Sequence, residues 1–341
     1  MTSIRQLAQQ TGFSPATVSR VLNHDPHFSV KESTRQSIIK AAQQQGYQVG
    51  THRQQITAMQ LQNSPVLVIQ TPQKLALPYF FSIKQGIRDE AKQRGLTIQK
   101  WLTIPDPSFH YQDVQSYRAV ILIGVFDRSF LEQLYRDNHN LVIIDDYRYF
   151  ANYDLVRNNY EAATAQVLNH LYSLGHRRIA FIGGGEYPWK KDGSRGAHIT
   201  DVRTRTYKNW MQAHHLAAHT YKTDWSSKEG AQAMKELVQA ALHFDAVLTA
   251  SDGLATGAYQ VATDHHIAIP ASLAVASFDD SQQAQQLAPA LSSVRPHSYE
   301  MGRTAVRLVL ERILEHRTVP IQAILPATFI KRESTHKESK D

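Results

Sequence analysis

The residues best suited to chemistry in this 341-residue chain lie between Ser14 and Asn23, in SPATVSRVLN. Ser14 has the side chain of a helix cap, and Pro15 suits the first helical position, where a missing N–H costs nothing. On a helix begun there, Val18, Val21 and Leu22 share one face by the i, i+3, i+4 rule. Ala16, Thr17, Ser19, Arg20 and Asn23 fall elsewhere, so the outer surface carries small residues, hydroxyls, an amide and one guanidinium. Such a surface can lie flat in a DNA major groove, with Arg20 donating two parallel hydrogen bonds to guanine O6 and N7. Other chemistry finds little support. Gly183-Gly184-Gly185 follows an apolar run, as phosphate loops do, but no Gly-x-Gly-x-x-Gly or Walker lysine pattern fits, so a tight turn is expected. His215 and His219 have i, i+4 spacing without the acid of a zinc motif, and with His214 they read as a solvated helix end. There is no nucleophile elbow and no evident acid–base pair. The absence of cysteine excludes disulfides, thiol nucleophiles and cysteine–zinc sites. Neither an enzyme nor a bound cofactor or metal is expected.

The elements around Arg20 are those needed to present it. Ser3-Ile4-Arg5-Gln6 is a capping box for a first helix with Ile4, Leu7 and Ala8 inward and Gly12 closing it. The turn TGFS leads into the Ser14 helix, which makes a helix-turn-helix. Ser29-Val30-Lys31-Glu32 is a second capping box, for a longer helix to Gln45 stopped by Gly46, with Tyr47 closing the bundle. So small a core predicts a marginal, loosely attached domain. The net charge of +7 is uneven. Arg5, Arg20, Lys31, Arg35, Lys40 and Arg53 face only Asp25 and Glu32 in the first 62 residues, leaving +4 there and +3 in the other 279. A basic module leading a near-neutral body suits a nucleic-acid partner.

From Val66 short apolar runs alternate with amphipathic stretches. Strands are expected at Val66–Ile69, Ile98–Leu102, Ala119–Ile123 and Leu141–Ile144, with a helix near Phe81–Arg94. A second series has helices near Tyr160–Leu174, Val202–His214 and Ser226–Leu242 and from Leu254, with strands at Ile179–Ile182, Ala246–Thr249 and Ala274–Phe278. Continuous apolar strands between helices indicate parallel βαβ units. The fold class is therefore an all-α helix-turn-helix headpiece followed by an α/β core of two doubly wound parallel-sheet lobes, with a ligand cleft between them. The longest apolar run, Ala119–Phe126, is too short to span a bilayer. With no membrane segment and no signal peptide expected, a cytoplasmic protein is the expectation.

Several stretches together resemble the lactose repressor (LacI/GalR) family of bacterial transcription regulators. They are IRQLAQQTGFSPATVSRVLN at 4–23, YSLGHRRIAFIGG at 172–184, TASDGLATGA at 249–258, ASFDD at 276–280 and PALSSVRPHSYEMG at 289–302. Within the family the chain looks most similar to the branch around the evolved β-galactosidase repressor and its Gram-positive relatives. The resemblance implies a headpiece at 1–48, a hinge at 49–63, a core like a periplasmic sugar-binding protein at 64–330, which binds effector and dimerises, and a C-terminal tail at 331–341. It further implies a homodimer on pseudopalindromic double-stranded operator DNA, controlled by a small sugar, a galactoside first.

By the same resemblance Pro15, Ala16 and Arg20 meet base edges, while Ser14, Thr17, Ser19 and Asn23 hold phosphates. Arg203 and Asp279 bind effector hydroxyls, with Arg205 and Asp280 as adjacent competitors. Asp145 and Ser251 face the same cleft. Tyr79 is either a lid contact or core, and Trp225 either packs on a galactoside or fills space between the lobes. The hinge departs from the family pattern: THRQQI stands where Ala and Leu are usual, so Ile56 is the candidate minor-groove wedge with Gln55 as alternative, and Arg53 a backbone contact. Gln6 and Thr11 also depart, at positions that touch no base in the family. The tail STHKESKD lacks a leucine heptad, which favours a dimer over a tetramer. Two alternatives keep a similar core: the same fold answering a purine or a phosphoprotein corepressor, and a sugar-transport protein, which would lack the first 60 residues. An enzyme such as a sugar kinase would need the phosphate loop or catalytic dyad not found.

Overall fold

The computed structural model describes residues 4–22, 25, 28–45, 47, 61, 64–72, 78–240 and 243–336. They fall into two compact units, Met1–Asn63 and Ser64–Asp341.

In the first unit α1 (Ile4–Thr11), α2 (Pro15–Leu22) and α3 (Glu32–Gln44) enclose Leu7, Val18, Val21, Leu22 and Ile38. Gly12, at φ 73°, ends α1 by donating its N–H to the Ala8 carbonyl at 3.0 Å, a conformation that suits a residue without Cβ. Ser14 Oγ then accepts from the Thr17 N–H at 3.1 Å and opens α2. The capping box expected at Ser29 does not form. α3 begins after Lys31, without a side-chain cap. Glu32 in its first turn is favourably placed against the helix dipole and is engaged by Gln36 (3.1 Å) and Arg35 (3.8 Å), four and three residues on.

The second unit contains two sheets. The first lobe holds β1 (Val66–Gln70), α4 (Pro78–Arg94), β2 (Ile98–Thr103), β3 (Ala119–Ile123), α5 (Arg128–Asp137), β4 (Leu141–Ile144) and β5 (Asp154–Asn158). The chain then builds the second lobe: α6 (Tyr160–Ser173), β6 (Ile179–Gly183), the small pair β7 (Gly185–Glu186) and β8 (Ile199–Thr200), α7 (Val202–Ala213), β9 (His219–Lys222), α8 (Ser227–Gln239), β10 (Ala246–Thr249), α9 (Asp252–Asp264), β11 (Ala274–Phe278), α10 (Gln282–Gln286) and β12 (Ser292–Arg295). It returns to the first lobe for α11 (Ser298–Leu314) and β13 (Gln322–Leu325), and ends in the second with β14 (Thr328–Ile330).

The strand orders match, β2-β1-β3-β4-β5-β13 and β9-β6-β10-β11-β12-β14, and all pairs in them are parallel except β12 with β14. The central strands β1, β3, β4, β6, β10 and β11 are buried along their length, as helices on both faces require. Three crossovers, after β5, β12 and β13, join the lobes on one side. Residues placed in a C-terminal tail by sequence are in part structural: Ser334 and Thr335 are fully buried, and Ser334 Oγ donates to the Val275 carbonyl at 2.6 Å.

Candidate functional site

In α2 the division of faces follows the sequence pattern. Val18, Val21 and Leu22 are buried, Ser14, Pro15, Ala16 and Arg20 are exposed, and Thr17 and Ser19 are half-buried. The Arg20 guanidinium lies 5.4 Å from the centre of the Phe28 ring and 3.9 Å from Asp25, with 59% of its side chain open to solvent. Ser14 is engaged twice as a cap, through the Thr17 N–H and the Thr17 hydroxyl at 2.9 Å. Asn23, Arg53 and Ile56 lie outside the described residues.

The cleft residues sit where strands end. Asp145 follows β4, Trp225 follows β9 and Asp279 follows β11, and all three have positive φ, at 68°, 72° and 105°. Non-glycine residues seldom adopt this conformation, and it is concentrated at functional sites. Here it turns the backbone just beyond the strands. Arg203, in the first turn of α7, is buried. Its Nε and Nη2 donate to the two Asp201 oxygens at 2.8 and 2.9 Å, and its Nη1 donates to the Ala250 carbonyl at 2.8 Å. Asp201 is also the cap of α7, accepting from the Arg203 N–H at 2.9 Å. The guanidinium carbon lies 4.8 Å from the ring centres of both Trp225 and Tyr160, and 5.5 Å from Phe278. Burial works against its charge, but the Asp201 carboxylate outweighs it, and the guanidinium pKa is raised well above its ordinary value. The result is a rigid donor fork with an aromatic face beside it, the pairing suited to hydroxyls on an otherwise apolar ring.

Asp279 is the matching acid. Burial first and the neighbouring Asp252 charge second push its pKa well above the usual carboxylate range, against the pull of Arg203. Asp252 itself is tied down, accepting from the Ser281 N–H at 2.7 Å and the Ser293 hydroxyl at 2.7 Å. From the first lobe, Tyr79 donates its hydroxyl to Asp145 Oδ1 at 3.0 Å and accepts from Asn158 Nδ2 at 3.0 Å. Asn158 also accepts from the His297 N–H at 3.2 Å, which ties two crossovers to Tyr79. Tyr79 is thus held in a polar network with Asp145 and Asn158. Burial, then Asp145 on the first lobe, raises its pKa; burial, then Asp279 on the second, raises that of Tyr160. Tyr147 stacks on Tyr160 with centres 5.7 Å apart, and its buried hydroxyl has no partner among the described residues.

The structure separates the adjacent competitors. Asp280 is bound by Arg295 (2.6 Å) and Arg332 (2.5 Å), and Asp146 by Arg148, with Nε at 3.0 Å, whereas Asp145 is engaged by Tyr79. Arg205 is half-exposed and only 3.9 Å from Glu161 at its nearest. Ser251 caps α9 through the Leu254 N–H at 3.4 Å, so its hydroxyl already has a structural task. The sequence reasoning did not identify Tyr147, Tyr160, Asn158 or Asp201. Of these only Asp201 carried a signal, as an acid two residues before Arg203 at a helix start. Gly183-Gly184-Gly185 is no anion loop: a Cβ on Gly184 would sit 2.5 Å from the Thr223 carbonyl, and Gly185 pairs with Thr200. His214 stacks on Trp210 at 3.7 Å rather than standing in solvent. Among the described residues no His, Asp and Glu cluster could hold a metal ion, and no helix is long and apolar enough to cross a membrane.

A small helix-turn-helix unit joined to a two-lobed, periplasmic-binding-protein-like body defines a class, the ligand-responsive DNA-binding regulators. Residues 3–49 match the bacterial regulatory proteins, lacI family, and residues 168–335 match the periplasmic binding protein-like domain. The HTH-type transcriptional repressor MelR of Bacillus subtilis (strain 168) is 30% identical over 100% of this chain and 99% of its own length. The regulator GalR of Lacticaseibacillus casei is 27% identical over 98% of this chain and all of its own. In structure, the lac repressor dimer bound to operator and the anti-inducer ONPF has a TM-score of 0.68 at 21% identity, over 98% of this chain and 99% of that one. The transcriptional regulator CelR–cellobiose complex has a TM-score of 0.66 at 23% identity, over 98% of this chain and all of that one. The chain belongs to the LacI family of bacterial regulatory proteins, and its curated relatives are helix-turn-helix transcriptional regulators.

Proposed function

We propose that this protein represses carbohydrate-utilisation genes, binding a pseudopalindromic operator as a homodimer and releasing it when a galactoside occupies the cleft. The headpiece at 1–48 reads DNA through Pro15, Ala16 and Arg20, with Ser14, Thr17, Ser19 and Asn23 on phosphates, and the hinge at 49–63 contributes Arg53 and Ile56. The core at 64–330 takes the effector through Tyr79, Asp145, Arg203, Trp225, Ser251 and Asp279 and forms the dimer, so light scattering of the full chain should give twice the chain mass. The site of action is the cytoplasm, where the operator is.

One observation carries the effector class. The Arg203 fork is fixed by Asp201 beside the Trp225 ring. A galactoside offers both a hydroxyl pair for such a fork and an apolar face for such a ring. The structural neighbour in complex with cellobiose supports a sugar over other ligands. Tryptophan fluorescence of the full chain, titrated with galactose, lactose, glucose and adenine, tests it. A galactoside should change the emission, and Trp225→Phe should remove most of the change. A response to adenine alone overturns the effector class, and a sugar response surviving in Trp225→Phe removes Trp225 from the site.

A further inference from the structure

Between β6 and α7 the second lobe sends out residues 185–200, which no part of the function above uses. β7 and β8 form the base of this hairpin, with Gly185 opposite Thr200 and Glu186 opposite Ile199. Further out, Trp189 bridges Arg195, the Arg195 guanidinium lies 3.5 Å from the Trp189 ring centre, and the Gly196 N–H donates to the Pro188 carbonyl at 2.7 Å. The tip is a turn: the Gly193 N–H returns to the Lys190 carbonyl at 3.1 Å, and Asp192 accepts from the Ser194 N–H and hydroxyl.

This arm ends on the other lobe. Trp189 pairs in parallel with Phe126, beyond the end of β3. The Asp127 N–H donates to the Trp189 carbonyl at 2.9 Å, and the Trp189 N–H donates to the Val125 carbonyl at 3.0 Å. Both glycines of the tip permit close approach. A Cβ on Gly193 would lie 2.9 Å from the Pro105 ring, and one on Gly196 2.8 Å from the Asp127 carboxylate. The docking point is away from the crossovers, since β6 is separated from β12 by β10 and β11, and β3 from β5 by β4. The tip also meets a side chain of the first lobe, the Lys191 ammonium lying 5.7 Å from the centre of the Tyr111 ring. Beside it a cavity of ≈ 380 Å³ lies between Lys190–Asp192 on the tip and Pro105–Pro107, Tyr111 and Ser129 on the first lobe.

We propose that residues 185–200 are a latch that holds the lobes closed over the cleft on the side opposite the crossovers, so that ligand retention and lobe closure depend on main-chain bonds at Trp189. With only crossovers, the lobes pivot about one edge. The two backbone hydrogen bonds at Trp189 exist only when the lobes meet, and therefore stabilise the closed state alone, which is what lets a contact shift such an equilibrium. Because their donors and acceptors are main-chain atoms, the latch is indifferent to which ligand is inside. Its consequence for effector response rests on the proposed sugar function; its existence does not.

Hydrogen exchange of the full chain without ligand is the test. Trp189→Pro removes the N–H that Val125 accepts, and the Asp127 amide should then exchange roughly tenfold faster, as losing a pair of hydrogen bonds implies, with the β3 amides unchanged. Gly193→Val drives a branched side chain into the Pro105 ring of the first lobe, where a Cβ alone already comes within 2.9 Å, and removes no N–H donor. It should give the same acceleration, and stands as the test if Trp189→Pro does not fold. Unchanged Asp127 exchange in the folded variant overturns the latch. For any sugar that changes tryptophan emission, both variants should bind it roughly tenfold more weakly; unchanged sugar affinity overturns the role in retention. If no sugar binds, the exchange result still decides the latch, so the two readings fail separately.

Discussion

Asp201 and Arg203 stand two residues apart and meet side chain to side chain, the carboxylate receiving Nε at 2.8 Å and Nη2 at 2.9 Å while also capping the helix that carries the arginine. One acid therefore sets both where α7 begins and how its buried guanidinium is oriented. Asp201→Asn keeps a capping side chain but leaves the charge without its counter-ion. Breaking a buried pair in this way costs about 3 kcal/mol, so the core should unfold at lower denaturant concentration. Sugar affinity should fall with it, and calorimetry alongside denaturant unfolding checks both.

Arg20 is the exposed guanidinium at the centre of the reading face. Arg20→Ala should cost about 1–3 kcal/mol on the operator and relax preference at one base pair. Gel-shift titrations on operator and random duplexes at fixed salt measure this; equal losses on the two would show that Arg20 holds backbone rather than reads sequence.

Glu90, fully buried on α4, receives hydrogen bonds from Arg303, Arg307 and Arg94. Burial opposes its charge, but the arginines outweigh it and lower its pKa to about 2. A carboxylate with a depressed folded pKa contributes stability that is fully present above its unfolded value of 4.5 and lost as pH falls toward 2. Glu90→Gln should thus cost about 3 kcal/mol at neutral pH, and the denaturant midpoints of the two proteins should converge on acidification.

α4 and α11 cross closely enough that a Cβ on Gly86 would lie 2.0 Å from the Tyr299 carbonyl and one on Gly302 2.1 Å from that of Ile83. Backbone cannot yield as a flexible side chain does, so Gly302→Ala should destabilise the core by about 1–3 kcal/mol. Calorimetric unfolding of the full chain checks it.

Much of this architecture is legible in the residues. The central strands are continuous apolar runs, and each expected one is present. The strands not anticipated are the short pair β7 and β8 and, in the two large sheets, DLVRN in β5, HTYK in β9, SSVR in β12, QAIL in β13 and TFI in β14; these five are short or carry polar residues and lie at or next to sheet edges. α11 escaped although Met301, Ala305, Leu308 and Ile313 have helical spacing, because Gly302 and four interleaved arginines and glutamates break up the stripe. Residue type and resemblance together name Arg203 and Asp279 as candidates, but not which of two like neighbours is engaged elsewhere in the fold. Asp280 is turned away only because Arg295 and Arg332 arrive from β12 and beyond β14. Tyr147 and Tyr160 enter through a stacking contact between a loop and a helix start, which no local spacing encodes.

The central claim is that a ligand seated on Arg203 loosens the grip on DNA, and titrating a labelled operator complex with a galactoside tests it most directly. Operator affinity should fall as the galactoside is added, while Arg203→Ala should bind operator as tightly as the parent and fail to respond. Operator binding that ignores every sugar and yields only to a purine, or an Arg203→Ala complex that is still released by the galactoside, would contradict it.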